Sequence, residues 1–315
     1  MFFSSIRKLI KRFLESSFFN RIKKIIATTL YSANKIQDLT IEGDCSRSHF
    51  FSIIAIIKNE SKYIREWIEY HIILGVEHFY LYDNESDDNL RNILLPYIEK
   101  GIVTYIFCPG KAKQIPAYND AIVRFKKQNH WMAFIDADEF IVLKDSTNKI
   151  SHFMKSYEQY DMLCVNWIMF DYNNHENIPN KGFVISNFTR CFANEDFPIN
   201  RHLKCIVKPK SAKICINPHY IHLKFPKKAV DERFGILTPP FSTHVHAKEI
   251  RINHYFSKSK EEYLKKISRG NADSSKKRFF DEKAYNFSYA GTRQSEIDLS
   301  FFINILKEKI PETYR

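Results

Sequence analysis

Apolar runs and helical stripes alternate along the first half of the chain. Phe50 to Ile57 is a short apolar run, and Ser61 to Leu74 carries Ile64, Trp67, Ile68, His71 and Ile72 at helical spacing before Gly75. That is one strand-helix unit. The pattern repeats with a strand over His78 to Tyr82, a helix over Asp88 to Ile98 closed by Gly101, and a strand over Val103 to Cys108. Pro116 suits the first turn of a third helix reaching Gln128, and Trp131 to Ile135 reads as a fourth strand. Strands and helices in strict alternation predict an α/β fold with a largely parallel, right-handedly wound sheet flanked by helices.

Beyond Leu143 the periodicity loosens. Ile150 to Tyr160 reads as helix and Met162 to Phe170 as strand, whereas the stretch to about 255 is irregular and rich in His, Pro and Asn. Ser259 and Glu262 form a capping box that opens a helix through Ser268, with Lys260, Lys265, Lys266 and Arg269 on it. The polar stretch Ile41 to Ser48 reads as a linker, dividing a segment 1–45 from a folded domain 46–315. Within that domain a first half runs over 50–145, a second over 146–270, and C-terminal helices over 259–315.

In an open parallel sheet, ligands bind beyond the carboxyl ends of the strands. Those ends carry Lys58-Asn59-Glu60, then Asp83 to Asp88, then Pro109 to Lys111 with Gln114 close behind, and finally Asp136-Ala137-Asp138-Glu139. Asp136 and Asp138, two apart in extended chain, project to the same side. Such a pair suits a divalent cation whose remaining positions are filled by phosphate oxygens. On their own, two aspartates at this spacing are also a common solvated turn. The apolar strand before them and the acidic cluster at Asp83 favour the metal-diphosphate reading.

Five segments in order, Lys58 to Glu60, Glu66 to His71, Gly75 to Asn84, Trp131 to Phe140, and Asn253 to Ser259 with Arg269-Gly270, resemble the glycosyltransferases of family 92 (DUF23-like) and their family 2-like relatives. The resemblance spans about residues 50 to 270. It implies a GT-A fold with an acceptor-side half toward the C-terminus, a nucleotide-sugar donor such as a UDP-sugar, Mn2+ or Mg2+, and inversion at the anomeric carbon. It places Lys58, Asn59, Glu60 and Asp83 at the nucleoside, Gln114 and Asn119 along the same cleft, and Asp136 with Asp138 at the metal. His254 is the late histidine that completes the metal shell, with a core histidine as the alternative. Lys258 and Lys260 meet the diphosphate or form a solvated face. Met169 to His175 departs from the glycine- and serine-rich turn of such enzymes. By resemblance, the acceptor is a glycan or lipid-linked saccharide in surface-polysaccharide or lipooligosaccharide assembly.

An inverting displacement needs a base on the acceptor hydroxyl, and Asp171, Glu176, Glu195 and Asp196 are the candidates. Histidines cluster late, at His219, His222, His244, His246 and His254. The alternating His244 and His246 could bind a transition metal or simply line a loop. Two rival readings stand: a phosphotransfer enzyme with an aspartate nucleophile, and a non-catalytic basic module for lipid or nucleic acid. The first fits poorly, because three strand-helix steps precede the acidic pair and Glu139-Phe140 follow it.

The net charge of +12 attracts polyanions, yet half of it sits in residues 1–24, where seven basic residues oppose Glu15 alone. The remaining body is mildly basic, which argues against a nucleic-acid partner. In that segment Phe2, Phe3, Ile6, Leu9, Ile10, Phe13 and Leu14 recur at helical steps among Arg7, Lys8, Lys11 and Arg12, which predicts an amphipathic helix against an anionic membrane. A helix docked on the core is the alternative. No apolar run reaches the roughly 18 residues of a spanning helix, and the N-terminus lacks the order of a signal peptide. The six scattered cysteines form no C-x-x-C pair, consistent with reduced, buried thiols. The expected location is therefore cytoplasmic, peripheral on the inner face of the membrane.

Overall fold

The computed structural model describes residues 39–44, 46–237, 240–269 and 291–312. The residues of the expected N-terminal amphipathic helix, and Gly270, lie outside them. Within them, the strand-helix alternation holds: β1 (Thr40–Glu42), β2 (His49–Ile57), α1 (Ile64–Leu74), β3 (His78–Asp83), α2 (Leu90–Glu99), β4 (Val103–Phe107), α3 (Gln114–Arg124) and β5 (Asn129–Phe134). β6 (Glu139–Leu143), α4 (Ile150–Met154), β7 (Met162–Met169), α5 (Val184–Asn187), β8 (Arg190–Phe192), β9 (Leu203–Val207), β10 (Ala212–Asn217), β11 (Tyr220–Leu223) and β12 (Ala229–Val230) follow. The described chain closes with β13 (Ile250–His254), α6 (Lys260–Arg269), β14 (Thr292–Gln294) and α7 (Ser300–Lys309).

A ten-stranded sheet in the order β1-β4-β3-β2-β5-β9-β7-β13-β6, with β12 beside β7, carries the molecule. β4, β3, β2 and β5 run parallel, as the alternation predicts. The second half is mixed: β9 lies antiparallel to both β5 and β7, and β6 runs antiparallel to β13. The stretch expected to be irregular therefore supplies three strands of the main sheet, β9, β12 and β13. Their brevity and the polar residues around them hide them from periodicity. Residues 40–42, expected within a linker, pair antiparallel with β4 and close the other end of the sheet.

β6 is an edge strand, and α1 covers it. Trp67 Nε1 donates to the Glu139 carbonyl at 2.7 Å, Tyr70 OH donates to the Ile141 carbonyl at 3.0 Å, and the Ile141 N–H donates to His71 Nε2 at 3.2 Å. Side chains of a helix thus satisfy backbone groups that a free edge would leave open. Burial holds the His71 imidazole neutral, its pKa pushed down to about 3. Gly75 ends α1 in the left-handed conformation (φ 104°), its N–H returning to the His71 carbonyl at 3.1 Å. The expected capping box also forms, with Ser259 and Glu262 bonded reciprocally at the start of α6. Among the described residues, Cys108, Cys164, Cys191, Cys205 and Cys215 are free and buried, and no helix is long and apolar enough to cross a membrane.

Candidate active site

β3 and β4 extend the parallel sheet on one side of β2, and β5 lies on the other. The loops after β2 and β5 therefore diverge, and this reversal of strand order opens a crevice beyond the carboxyl ends. Lys58-Asn59-Glu60 leave β2 there, and Asp136 to Asp138 leave β5.

The aspartates have unlike surroundings. Asp136 Oδ2 accepts from Lys204 Nζ at 2.8 Å, and Oδ1 accepts from Gln114 Nε2 at 3.0 Å and Tyr118 OH at 3.3 Å. Asp138 Oδ2 is paired with the Lys266 ammonium of α6, and Oδ1 faces His254 Nε2 at 3.6 Å. Glu139, fully buried, accepts from the Asp136 N–H at 3.0 Å and from Lys204 at 3.1 Å through Oε2. Two buried atoms have no hydrogen-bond partner, Glu139 Oε1 and His254 Nδ1, and they lie 3.7 Å apart. The Trp167 ring lies 4.5 Å from the His254 ring, centroid to centroid.

Burial works against every charge in this cluster, and the lysines decide which survive. Against burial, Lys204 holds the Asp136 carboxyl below the usual carboxylate range. Lys266, with His254, does the same more strongly for Asp138. Burial and the charges of both aspartates push Glu139 up to about 8, with Lys204 opposing. Lys204 itself, though buried, is held well above the ordinary lysine value by Asp136 and Glu139. Burial lowers His254, only partly offset by Asp138, so its ring is neutral and able to ligate.

The other sequence-derived residues divide into those at the crevice and those elsewhere. Asn59, in the left-handed region at φ 56°, accepts the Asp87 N–H and donates its own N–H to Ser86 Oγ, both at 2.9 Å. Asp83 is buried and occupied by Ser86 and the Tyr105 hydroxyl. Asn84 donates to the Cys108 and Gly110 carbonyls. These side chains lace the loops after β2, β3 and β4 into one rim, with Lys58 and Glu60 half-buried on it. Asn119 lies elsewhere: its amide exchanges two 2.8 Å bonds with the Cys215 backbone, fastening β10 to α3. Lys258, buried at φ 46°, places its ammonium 4.7 Å from the Tyr63 ring centroid.

Of the four candidate bases, Asp171 follows β7, whose Met169 pairs with His254, and it is buried with Arg190 at 3.7 Å. Glu176 is exposed and paired with Lys260, Glu195 with Arg293, and Asp196 with Arg201 and His244. His244 and His246 do not converge, because His246 Nδ1 bonds Asp231 at 2.6 Å. His219 packs edge-on against Trp167, its pKa lowered to about 3 by burial and Lys204. His222 packs edge-on against Tyr220.

Pattern reading passed over Lys204, Glu139 and Trp167 as site residues, and Lys266 it placed only on a basic helix. One signal was present: Lys204 interrupts the apolar run Leu203 to Val207, and a lysine there has to be paired.

A divalent cation suits the donor set of Asp138 and His254, a carboxylate oxygen and a neutral imidazole nitrogen. The partnerless Nδ1 on the far side of that ring is the position from which such a histidine is normally oriented. Among the described residues no three His, Cys, Asp or Glu side chains form a ready-made cage. Two protein ligands completed by phosphate oxygens are the usual economy of a metal-diphosphate site.

A largely parallel α/β sheet with acidic residues paired to lysines beyond its strand ends defines a doubly wound α/β class. Comparison narrows it. The model of glycosyltransferase family 92 matches residues 51–290, and the chain belongs to that family. A family 92 protein of Oryza sativa is 26% identical over 202 residues, covering 61% of this chain and 32% of the relative. The galactan beta-1,4-galactosyltransferase GALS2 of Arabidopsis thaliana is 33% identical over 112 residues, covering 32% and 21%. The chain spans about a third of the length of the family 92 relatives it matches. Among solved structures, S. aureus TarS 1–349 in complex with UDP aligns at 15% identity and a TM-score of 0.34, covering 51% of this chain and 47% of that one.

Proposed function

We propose that this chain transfers a sugar from a nucleotide-diphosphate sugar, in the first instance a UDP-sugar, to a glycan or lipid-linked saccharide in surface-polysaccharide or lipooligosaccharide assembly, with inversion and with Mn2+ or Mg2+. The observation that carries this reading is the meeting of Asp138 and His254 where β6 begins and β13 ends, with Lys266 on Asp138. Family membership supports it, and so does the galactosyltransferase name of one relative.

Asp138 and His254 would hold the cation, which neutralises the diphosphate and makes it a leaving group. Asp136 joins them only by giving up Lys204 at Oδ2. The laced rim of Lys58, Asn59, Glu60 and Asp83 receives the nucleoside, and Gln114 fixes the Asp136 carboxylate beside it. Lys258 and Lys266 oppose negative charge on the diphosphate as it departs. Asp171, on the same sheet edge as His254, takes the proton of the attacking hydroxyl. The enzyme works at the inner face of the membrane, with residues 1–24 as its contact with anionic lipid.

A panel of UDP- and GDP-sugars, scored by thermal stabilisation with and without Mn2+, identifies the donor. With that donor, Asp138→Asn is expected to lower turnover by more than about a hundredfold while retaining the fold. Wild-type, EDTA-sensitive turnover in that variant overturns the metal assignment.

A further inference from the structure

We propose that Glu139, ionised once a bound cation offsets the charges of Asp136 and Asp138, is a positioning residue for His254, accepting the Nδ1–H so that Nε2 presents its lone pair beside Asp138. The inference rests on the reading of Asp138 and His254 as the metal pair and adds a residue behind it.

Three observations converge. First, β6 and β13 pair antiparallel with Glu139 opposite His254, so the two side chains start from neighbouring backbone positions. The Glu139 end of β6 is further held by Trp67, which donates to the Glu139 carbonyl. Second, the two carboxylate oxygens of Glu139 are unequal. Oε2 takes the Asp136 N–H and Lys204, while Oε1 is buried and partnerless. Third, the one ring nitrogen of His254 that faces away from Asp138 is also buried and partnerless, and it is 3.7 Å from that oxygen. Trp167 lies against the ring, which restricts a search for another acceptor. An approach of roughly 0.8 Å brings the pair to hydrogen-bond distance. The nitrogen that donates then fixes which nitrogen ligates, because a neutral imidazole carries one proton.

The arrangement makes Glu139→Gln informative. Lys204 and the Asp136 N–H require an oxygen at the Oε2 position, so the glutamine NH2 occupies the Oε1 position and donates toward Nδ1. That moves the ring proton to Nε2 and removes the lone pair from the metal side. Mn2+ alone, titrated by electron paramagnetic resonance, is expected to bind Glu139→Gln about 10- to 100-fold more weakly than wild type. His254→Ala is expected to lose as much or more. If His254→Ala weakens Mn2+ binding and Glu139→Gln does not, the positioning role fails and the metal pair stands. If neither variant changes Mn2+ binding, the metal pair fails and this inference with it.

A measurement on the wild-type protein covers the case in which Glu139→Gln does not fold. Nitrogen-15 spectra of histidine-labelled protein with Mg2+ are expected to show His254 as the Nδ1–H tautomer. The Nε2–H tautomer overturns the proposal.

Discussion

Lys204 is 1% exposed at its side chain and lies against two carboxyl groups at once, Asp136 at 2.8 Å and Glu139 at 3.1 Å. Removing one member of a buried ion pair leaves the rest uncompensated, at a cost of about 3–5 kcal/mol. Lys204→Met is therefore expected to lose about that much in urea denaturation; a loss below about 1 kcal/mol would show that the carboxylates are hydrated. Glu66 makes a separate prediction. It is buried in α1 and accepts the Val184 and Ile185 N–H groups at 2.8 and 3.2 Å, and burial raises its pKa from 4.5 to about 7. A carboxyl whose folded value lies above its unfolded value adds stability that is full below about pH 4.5 and lost as pH rises through 7. The loss is on the order of 3 kcal/mol by linkage, and Glu66→Gln is expected to flatten the curve between those limits. An unchanged slope in the variant sinks the assignment. The aspartate pair was legible in the sequence because it ends an apolar strand. Its partners were not: Lys204 is 68 residues from Asp136, and Lys266 is 128 from Asp138, distances that only tertiary pairing closes.

At the scale of elements, what periodicity revealed and what it missed have a common cause. α1, β2, β3, α2, β4, α3 and β5 are long enough for their spacing to show, and all seven stand where the pattern put them. β8 has three residues and β12 two, too few for alternation to register. β9 has five, but its interior lysine breaks the apolar signal. β6 was hidden for another reason. It follows Asp138 directly, so Glu139 read as part of the acidic loop and not as the first residue of a strand. Asn119 shows the same limit from the side-chain end. The family resemblance placed it along the cleft, whereas its amide serves as a clamp on β10. Asn119→Ala leaves the buried Cys215 N–H and carbonyl without these partners, an expected loss of about 1–3 kcal/mol for each. Hydrogen exchange is expected to rise first in β10 and β11. Exchange spread evenly through the sheet would show that the hairpin is not held by this clamp.

At the scale of the molecule, the parallel half of the sheet builds the rim of laced loops, and the mixed half brings in the partners of the acidic pair. β9 supplies a lysine, β13 a histidine and the helix after it a second lysine. The charge of residues 1–24 lies outside the described residues and belongs to the proposal of membrane contact. Deleting those residues is expected to shift the protein from anionic liposomes to the supernatant in flotation, with donor hydrolysis unchanged. Equal flotation of both forms, or unfolding of the shorter one, overturns it.

β1 runs antiparallel to β4, with Thr40 opposite Phe107. The chain thus joins the sheet at the end where β4 gives way to the crevice loops, four strand spacings or about 20 Å along the edge from β5. A dye or tag joined directly to Leu39, in place of residues 1–38, is expected to lie near the crevice end of β4. On a sensor chip, that shortened form is expected to present the crevice toward the support, so a short spacer hinders a bulky analyte more than a small one.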